Sequence, residues 1–472
     1  MTPLNSSFGA MRAPLQRRSG AVLVCIALLS VVLDATNLST SPRIGSYLFM
    51  AALVVIALAV RKTEGGFTSL IGLLFLSTVL FNAAEPIYVA LTGDSSIYSI
   101  SFGTTVEPDG RSLFHLLTFW TVGIASAFGG YFLSGTAKKI TGRNPLSNSA
   151  IRFCKRAFNI AAILAGVALP IMLSGRLAAF ASGGYTALYS AQANYSFNPT
   201  RLLDFLCPLL YSLSVLLSEK RYVRIMLVIV LGYTFAGIVV GQRMEAGTWL
   251  FVALWHFSTV RRRPMRILPL ILALTFAATA FQIINMLRGG FAANRFILIE
   301  YFVGQGITFL LPALSWTLAS PPVHTILGSF LPLGALYHLL GVGTAADSNL
   351  ANYICSQSDP VLFQAGYGLG SSWCMELFYL CGGVMLIYGA ASGFLGFLLR
   401  KWEEYATRSH VCLFVLCLCL SSIFSLPRGS FNSMTFQVLY GTAFVVVVFF
   451  ASCAPNISHA NGTREEIAYA AN

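Results

Sequence analysis

Charge is what this chain has least of. Only 10% of its 472 residues are Asp, Glu, Lys or Arg, where a soluble domain carries about 25%. Acidic residues are the scarcest, with 17 Asp and Glu in all. The chain is 56% hydrophobic, with a mean hydropathy of +0.73. Apolar stretches recur along its whole length, many of them long enough to cross a hydrocarbon core of about 30 Å. They are continuous rather than alternating, which excludes a β-barrel. The chain therefore reads as all-α: a polytopic integral membrane protein with about 12–14 transmembrane helices, forming a single multi-pass membrane domain over 1–472.

Other absences narrow the chemistry. No pair of His or Asp residues has metal-ligand spacing, and the ten cysteines show none either. No glycine-rich phosphate loop is followed by Lys, and no nucleotide fold is visible. An active site here would work without metal, nucleotide or other cofactor. Most cysteines lie inside apolar runs, as do Cys412, Cys417 and Cys419, where they serve as small packing residues. Cys355 and Cys374 are both expected outside, where a disulfide is open to them. Arg12, Arg17 and Arg18 precede an apolar run from Ala21 to Leu33. No cleavage site follows it, so it reads as the first span rather than a signal peptide.

Fourteen candidate spans can be drawn: about 20–37, 44–60, 67–91, 113–134, 155–174, 202–218, 223–240, 245–259, 266–285, 305–319, 325–343, 373–399, 410–427 and 432–451. The pair around "SPPVH", Ser320 to His324, reads either as two crossings or as a re-entrant hairpin. With a cytoplasmic N-terminus, twenty-two of the thirty Lys and Arg residues fall inside. Eight fall outside: Arg43, Arg111, Arg176, Arg201, Arg243, Arg288, Arg295 and Arg428. That bias places both termini in the cytoplasm. The net charge of +13 is then mostly a topology signal and needs no nucleic acid to explain it. Every external basic residue is an arginine, whose planar fork matches phosphate or carboxylate. Arginine outnumbers lysine four to one in this chain, so its general usage accounts for the pattern equally well.

The long external loops fall at about 93–112, 175–201, 286–304 and 344–372. They are semi-apolar and suited to short helices on the membrane surface. Their aromatic residues serve either as sugar-stacking faces or as an interface belt.

Three tight external segments carry charge. "VVGQRMEAGTWLF" puts Arg243 and Glu245 at a turn between two helices. "NMLRGGFAANRFILIEYF" sets Arg288 before two glycines, with Arg295 following. "SLPRGSFN" holds Arg428 between Pro427 and Gly429. Each suits anion capture; the plainer readings are a turn with solvated charges for Arg243 and Glu245, a cation favoured by a helix C-terminal dipole for Arg288, and snorkelling to headgroups for Arg428. Glu376 lies near the start of the span at 373–399, with Ser372 as a possible cap and Tyr379 and Gly383 on the same helical face. Gly389 and Gly393 form a small-xxx-small pair for close helix packing. A carboxylate on such a helix is a functional candidate. Glu85, beside Pro86, is a second, and Asp34 a weaker third.

The segments "GLGSSWCMELFYLCGGVMLIYGAASGFLGFLL" (Gly368 to Leu399) and "GQRMEAGTWLF" (Gly241 to Phe251) resemble the Wzy-type polysaccharide polymerases of bacterial inner membranes. The resemblance implies joining of undecaprenyl-pyrophosphate-linked repeat units at the periplasmic face into O-antigen, capsule or exopolysaccharide. It implies Glu376 as base or acceptor-orienting group, and Arg243, Arg288 and Arg428 as pyrophosphate ligands. Glu245, Arg176, Arg295 and Tyr379 would sit around the glycan or behind those ligands. A chain-length regulator and a flippase are the implied partners, with the lipid bilayer. The rivals are an O-antigen ligase and a lipid-linked oligosaccharide flippase. A ligase of that type relies on an external loop histidine, and His338 falls within an expected span. A flippase would show two related halves, and none are visible.

Overall fold

The computed structural model describes residues 4–36, 41–93, 95–102, 104–135, 145–193, 199–239, 243–261, 304–334, 340–341, 344, 346–364 and 368–469, with isolated positions at 272, 275 and 279. Seven helices among them are long and apolar enough to cross a membrane: Pro14–Ala35, Pro42–Arg61, Leu70–Thr92, Gly110–Leu133, Asn148–Ala179, Lys220–Ile238 and Phe431–Ser452. The protein is a polytopic helical membrane protein, as its hydropathy requires. Three shorter apolar helices, Leu202–Leu217, Gly306–Trp316 and His410–Ser425, pack among them. The expected span at 266–285 lies outside the described residues, isolated positions apart.

The helices are numbered in chain order. α1 is Leu4–Ala35, α2 Pro42–Arg61, α3 Leu70–Thr78 and α4 Ala84–Thr92. α5 is Gly110–Leu133, α6 Asn148–Ala193, α7 Pro199–Leu217, α8 Lys220–Val239 and α9 Arg243–Trp255. The short helices α10 (Leu311–Trp316), α11 (Val323–Phe330), α12 (Leu350–Ser358), α13 (Pro360–Gln364) and α14 (Trp373–Leu380) follow. α15 (Met385–Ala406), α16 (His410–Ser425) and α17 (Phe431–Tyr469) complete the set. Between α4 and α5 a small antiparallel hairpin pairs Ile100 with Val106.

Two apolar cores organise these helices. The first joins α1, α2, α5, α14 and the start of α15 around Trp120, Phe119, Phe128 and Tyr388. The second joins α6 to α9 with α16 around Phe158, Leu210, Trp255 and Phe424. α3 is the seam: Ile71 and Phe75 face the first core, Leu70 and Leu73 the second. The Ser77 hydroxyl pins α3 to the Phe424 carbonyl at 2.6 Å.

Glycine sets the closest contact in the first core. A Cβ on Gly130 would fall 1.9 Å from the Gly393 carbonyl oxygen, and one on Gly396 would fall 1.8 Å from that of Ala127. α5 and α15 touch backbone to backbone, as the Gly389/Gly393 spacing suggests. Contact with α15 begins where the Phe119 ring stacks on Tyr388, near the start of α15, with centroids 5.2 Å apart, and continues at Gly123. Roughly the first two turns of α5 therefore run past the start of α15. Short helices cover that projection, with Phe119 packed edge-on against Trp316 of α10 and Phe378 of α14.

The structure bears on four expectations. The span at 373–399 is not one helix. It breaks between α14 and α15, where Gly382 and Gly383 take φ values of 66° and 75° that side-chain-bearing residues avoid. Gly383 thus leaves the face of Glu376 and Tyr379. Around "SPPVH", Gly306–Trp316 and α11 are each too short to cross about 30 Å of hydrocarbon, the geometry of a re-entrant pair. In the segment 175–201, where surface helices were expected, α6 continues as helix to Ala193. Cys355 and Cys374 are buried free thiols.

The glycine contact makes a direct prediction. Gly396→Ala forces α5 and α15 apart and costs about 1–3 kcal/mol. A lower melting temperature in detergent and a smaller membrane-inserted yield are the expected readouts; unchanged values would refute the close packing.

Candidate functional site

The residues singled out above gather in two places, and the first is built around Arg428. The turn from Leu426 to Ser430 joins α16 to α17 and is held from every side. Trp373 N–H donates to the Leu426 carbonyl at 3.1 Å. Asn82 Nδ2 donates to the Pro427 carbonyl at 2.8 Å. Gly370, with a φ of 80°, lets the backbone before α14 approach the Arg428 carbonyl. The Ser430 hydroxyl donates to the Ser329 carbonyl at 2.8 Å.

Glu376 is the centre of this arrangement. It is fully buried, and its Oε2 accepts the Phe431 backbone N–H at 3.0 Å. Phe431 is the first residue of α17, so one of the unsatisfied donors at that helix start is met by a carboxylate 55 residues away in sequence. The negative charge also complements the positive end of the helix dipole. The other Glu376 oxygen, Oε1, and the nearby Ser371 hydroxyl are buried and make no hydrogen bond among the described residues. Ser372 caps α14 as the sequence suggested, accepting from Met375 N–H at 3.3 Å.

Arg428 is positioned by the turn that follows α3 and by the segment leading into α10. Its guanidinium donates to Gln305 Oε1 at 3.0 Å and lies 5.6 Å from the centre of the Phe81 ring. Phe81 sits in a π-helical turn, Val79–Ala83, between α3 and α4. Such a turn displaces backbone carbonyls from the regular ladder. The freed Phe81 carbonyl accepts the Thr308 hydroxyl. Glu85 follows one turn later, almost fully buried, with its Cγ about 3.0 Å from where a Cβ on Gly306 would sit. Gly306 is small because Glu85 passes there. Below the turn lies an apolar cavity of about 200 Å³, lined by Ile71, Phe128, Trp373, Leu399, Leu426 and Phe431 among others.

The second cluster joins four helices. Arg176 of α6 is buried and, with Asp204 of α7, acts electrostatically on Glu245 in the first turn of α9. The Tyr233 hydroxyl of α8 donates to Asp204 Oδ1 at 2.6 Å. Two carboxylates here face one arginine. The backbone of Arg243 starts α9, but its side chain is outside the described residues, as are Arg288, Arg295 and His338. Tyr379 turns to the first core, donating to the Ser315 carbonyl at 3.3 Å.

Sequence reasoning missed Asp204, Gln305 and Asn82. Asp204 stands alone in "RLLDFLCPLL", and a lone carboxylate in an apolar helix is the signal that would have found it. Gln305 and Asn82 carry no such mark. Only the fold brings them to the Arg428 turn.

A multi-pass helical membrane protein with an arginine turn braced by a buried carboxylate is the class these features define. A family-model comparison is more specific: residues 21–455 match the model of the O-antigen polysaccharide polymerase Wzy. The chain belongs to that family, whose members polymerise O-antigen repeat units. No curated protein and no solved structure matches it.

The capping contact separates two roles for Glu376. Glu376→Ala strands the Phe431 N–H and costs about 1–3 kcal/mol, lowering the melting temperature and the membrane yield. Glu376→Gln keeps an acceptor oxygen there, and its surface polysaccharide should retain polymer chains. Single repeat units from Glu376→Gln at normal membrane yield would restore the carboxylate to the chemistry.

Proposed function

We propose that this protein transfers a growing glycan from undecaprenyl pyrophosphate to the next lipid-linked repeat unit, at the periplasmic face of the bacterial inner membrane with both termini cytoplasmic. Family membership supports the polymerase activity. The observation that carries the site is the Arg428 turn. A cation in a rigid turn at a helix junction, with a neutral amide and a ring face among its contacts, suits a pyrophosphate leaving group. Charge developing on the departing phosphate oxygens is stabilised best by donors that need no rearrangement. Arg243 and Arg288 are proposed as further ligands of that group, with Arg295 and Arg176 nearer the glycan.

Glu376 is proposed as a positioning residue. A general base must reach the proton it takes, whereas Glu376 is fully buried and bonded to Phe431 N–H. Its work is to hold the start of α17, and with it Arg428. Glu245 is proposed to set the start of α9, and so Arg243, through the charges of Arg176 and Asp204. Tyr379 steadies α14 through Ser315. The apolar cavity beneath the turn suits part of an isoprenoid chain, placing tail and pyrophosphate on either side of Leu426 and Phe431. The chemistry needs no metal in this reading, and a chain-length regulator and a flippase are the partner classes.

The test is the length of surface polysaccharide in a strain lacking the gene. Wild type restores long chains. Arg428→Ala, at equal membrane yield, leaves single repeat units, and Arg428→Lys recovers part of the length because it keeps the charge but loses the fork. Long chains from Arg428→Ala would remove this residue from the mechanism. Loss of even single units outside, with accumulation inside, would make the protein a transporter.

A further inference from the structure

One buried-edge pair of titratable groups has no part in the site above. His115, in the second turn of α5, has its Nδ1 2.8 Å from Asp34 Oδ2 near the end of α1. The imidazole N–H donates to the carboxylate, so the bond fixes the ring's orientation and directs Nε2 away from Asp34. The His115 side chain is 39% exposed and that of Asp34 19%. Against the imidazole lies Trp316, the last residue of α10, with ring centroids 4.8 Å apart. Phe119 and Phe378 hold the indole from behind. The Trp316 side chain is itself partly exposed.

His115 lies on the projecting turns of α5, beyond the start of α15, and Asp34 of α1 and Trp316 of α10 meet it there. Their link to Arg428 is short and stiff. Gln305, which receives Arg428, and Trp316, which packs on His115, bound one segment of 3₁₀- and α-helix. That segment spans about 17 Å. A parallel route runs through α14, whose Glu376 braces the arginine turn and whose Phe378 touches Trp316.

We infer that Asp34, His115 and Trp316 form a sugar-binding subsite for the glycan of the lipid-linked substrate, displaced from the pyrophosphate end by the length of a short oligosaccharide. This inference rests on the polymerase reading given above. An indole offers a flat apolar face for the C–H side of a pyranose ring. An oriented imidazole beside a carboxylate offers both a donor and an acceptor for the ring's hydroxyls. The pairing also accounts for an aspartate kept in a chain so poor in acids. A pyrophosphate at Arg428 and a ring at Trp316 would draw the glycan along the 305–316 segment.

Two measurements on the full chain test it. In proteoliposomes supplied with lipid-linked repeat units, Trp316→Ala and His115→Ala each lower kcat/KM about tenfold, with the loss carried by KM. His115→Asn keeps an amide donor for Asp34 while losing the distal ring nitrogen, so it preserves local structure and carries the test should His115→Ala not fold. Binding of the free repeat-unit oligosaccharide, without lipid or pyrophosphate, is read by saturation-transfer NMR on detergent-solubilised protein. Wild type binds it, and His115→Asn and Trp316→Ala lose several-fold in affinity. Wild-type kinetics and binding in both variants would overturn the subsite. So would a fall in kcat at constant KM with loss of the acid limb of the pH profile, which would make His115 a base rather than a sugar contact. Failure of the wild type to elongate repeat units would instead sink the polymerase reading, while the oligosaccharide measurement would still decide the subsite.

Discussion

The hydrogen bond from Phe431 N–H to the Glu376 carboxylate is the contact on which the rest of the site depends. A helix start leaves several N–H groups without partners. Burial makes each of them costly unless an acceptor is supplied. Here the acceptor comes from a separate short helix, so capping α17 and docking α14 are one event. The Arg428 turn lies between those two elements and inherits their rigidity. Under the proposed reading, in which Arg428 meets a leaving phosphate, such rigidity would put its charge in place before the bond breaks.

The same turn lies where the two apolar cores meet. α3 belongs to both, and its π-helical continuation sends Asn82 to Pro427 and sets the Phe81 ring beside Arg428. One irregular helical turn thus couples the packing of the whole bundle to one side chain. The second polar cluster, Arg176 with Asp204, Tyr233 and Glu245, belongs to the other core and ties four helices together. Charges in such surroundings are retained when they are paired or hydrogen-bonded. Glu376 and Glu245 both lie near helix starts rather than on solvated surface.

Much of the architecture was legible in the residues. Hydropathy named the class because no soluble fold can hide so much apolar surface. The Gly389/Gly393 spacing foretold close helix packing, and Gly130 and Gly396 complete the backbone contact it implied. The Pro-Arg-Gly run marked a stiff turn before its neighbours were known. Other features were present but misread. Gly382 and Gly383 together signal a break, yet the apolar residues on both sides made one long span look natural. Past Gly175 the helical pattern of α6 persists, but long aromatic-rich stretches read equally well as loops.

The sequence by itself determined that the chain is a bundle of membrane helices, and which residue types were available for chemistry. Periodicity and charge scarcity are local properties, and they survive translation into structure unchanged. Only the tertiary structure decided what each of the described charges touches. Glu376 reads the same in sequence whether it takes a proton from a substrate or accepts one N–H from a helix start. What the fold adds is its contact with the Phe431 N–H, 55 residues on, at 3.0 Å. The pairing of Asp34 with His115, 81 residues away, was invisible for the same reason. Long-range contacts follow from how helices cross, and no spacing along the chain records them.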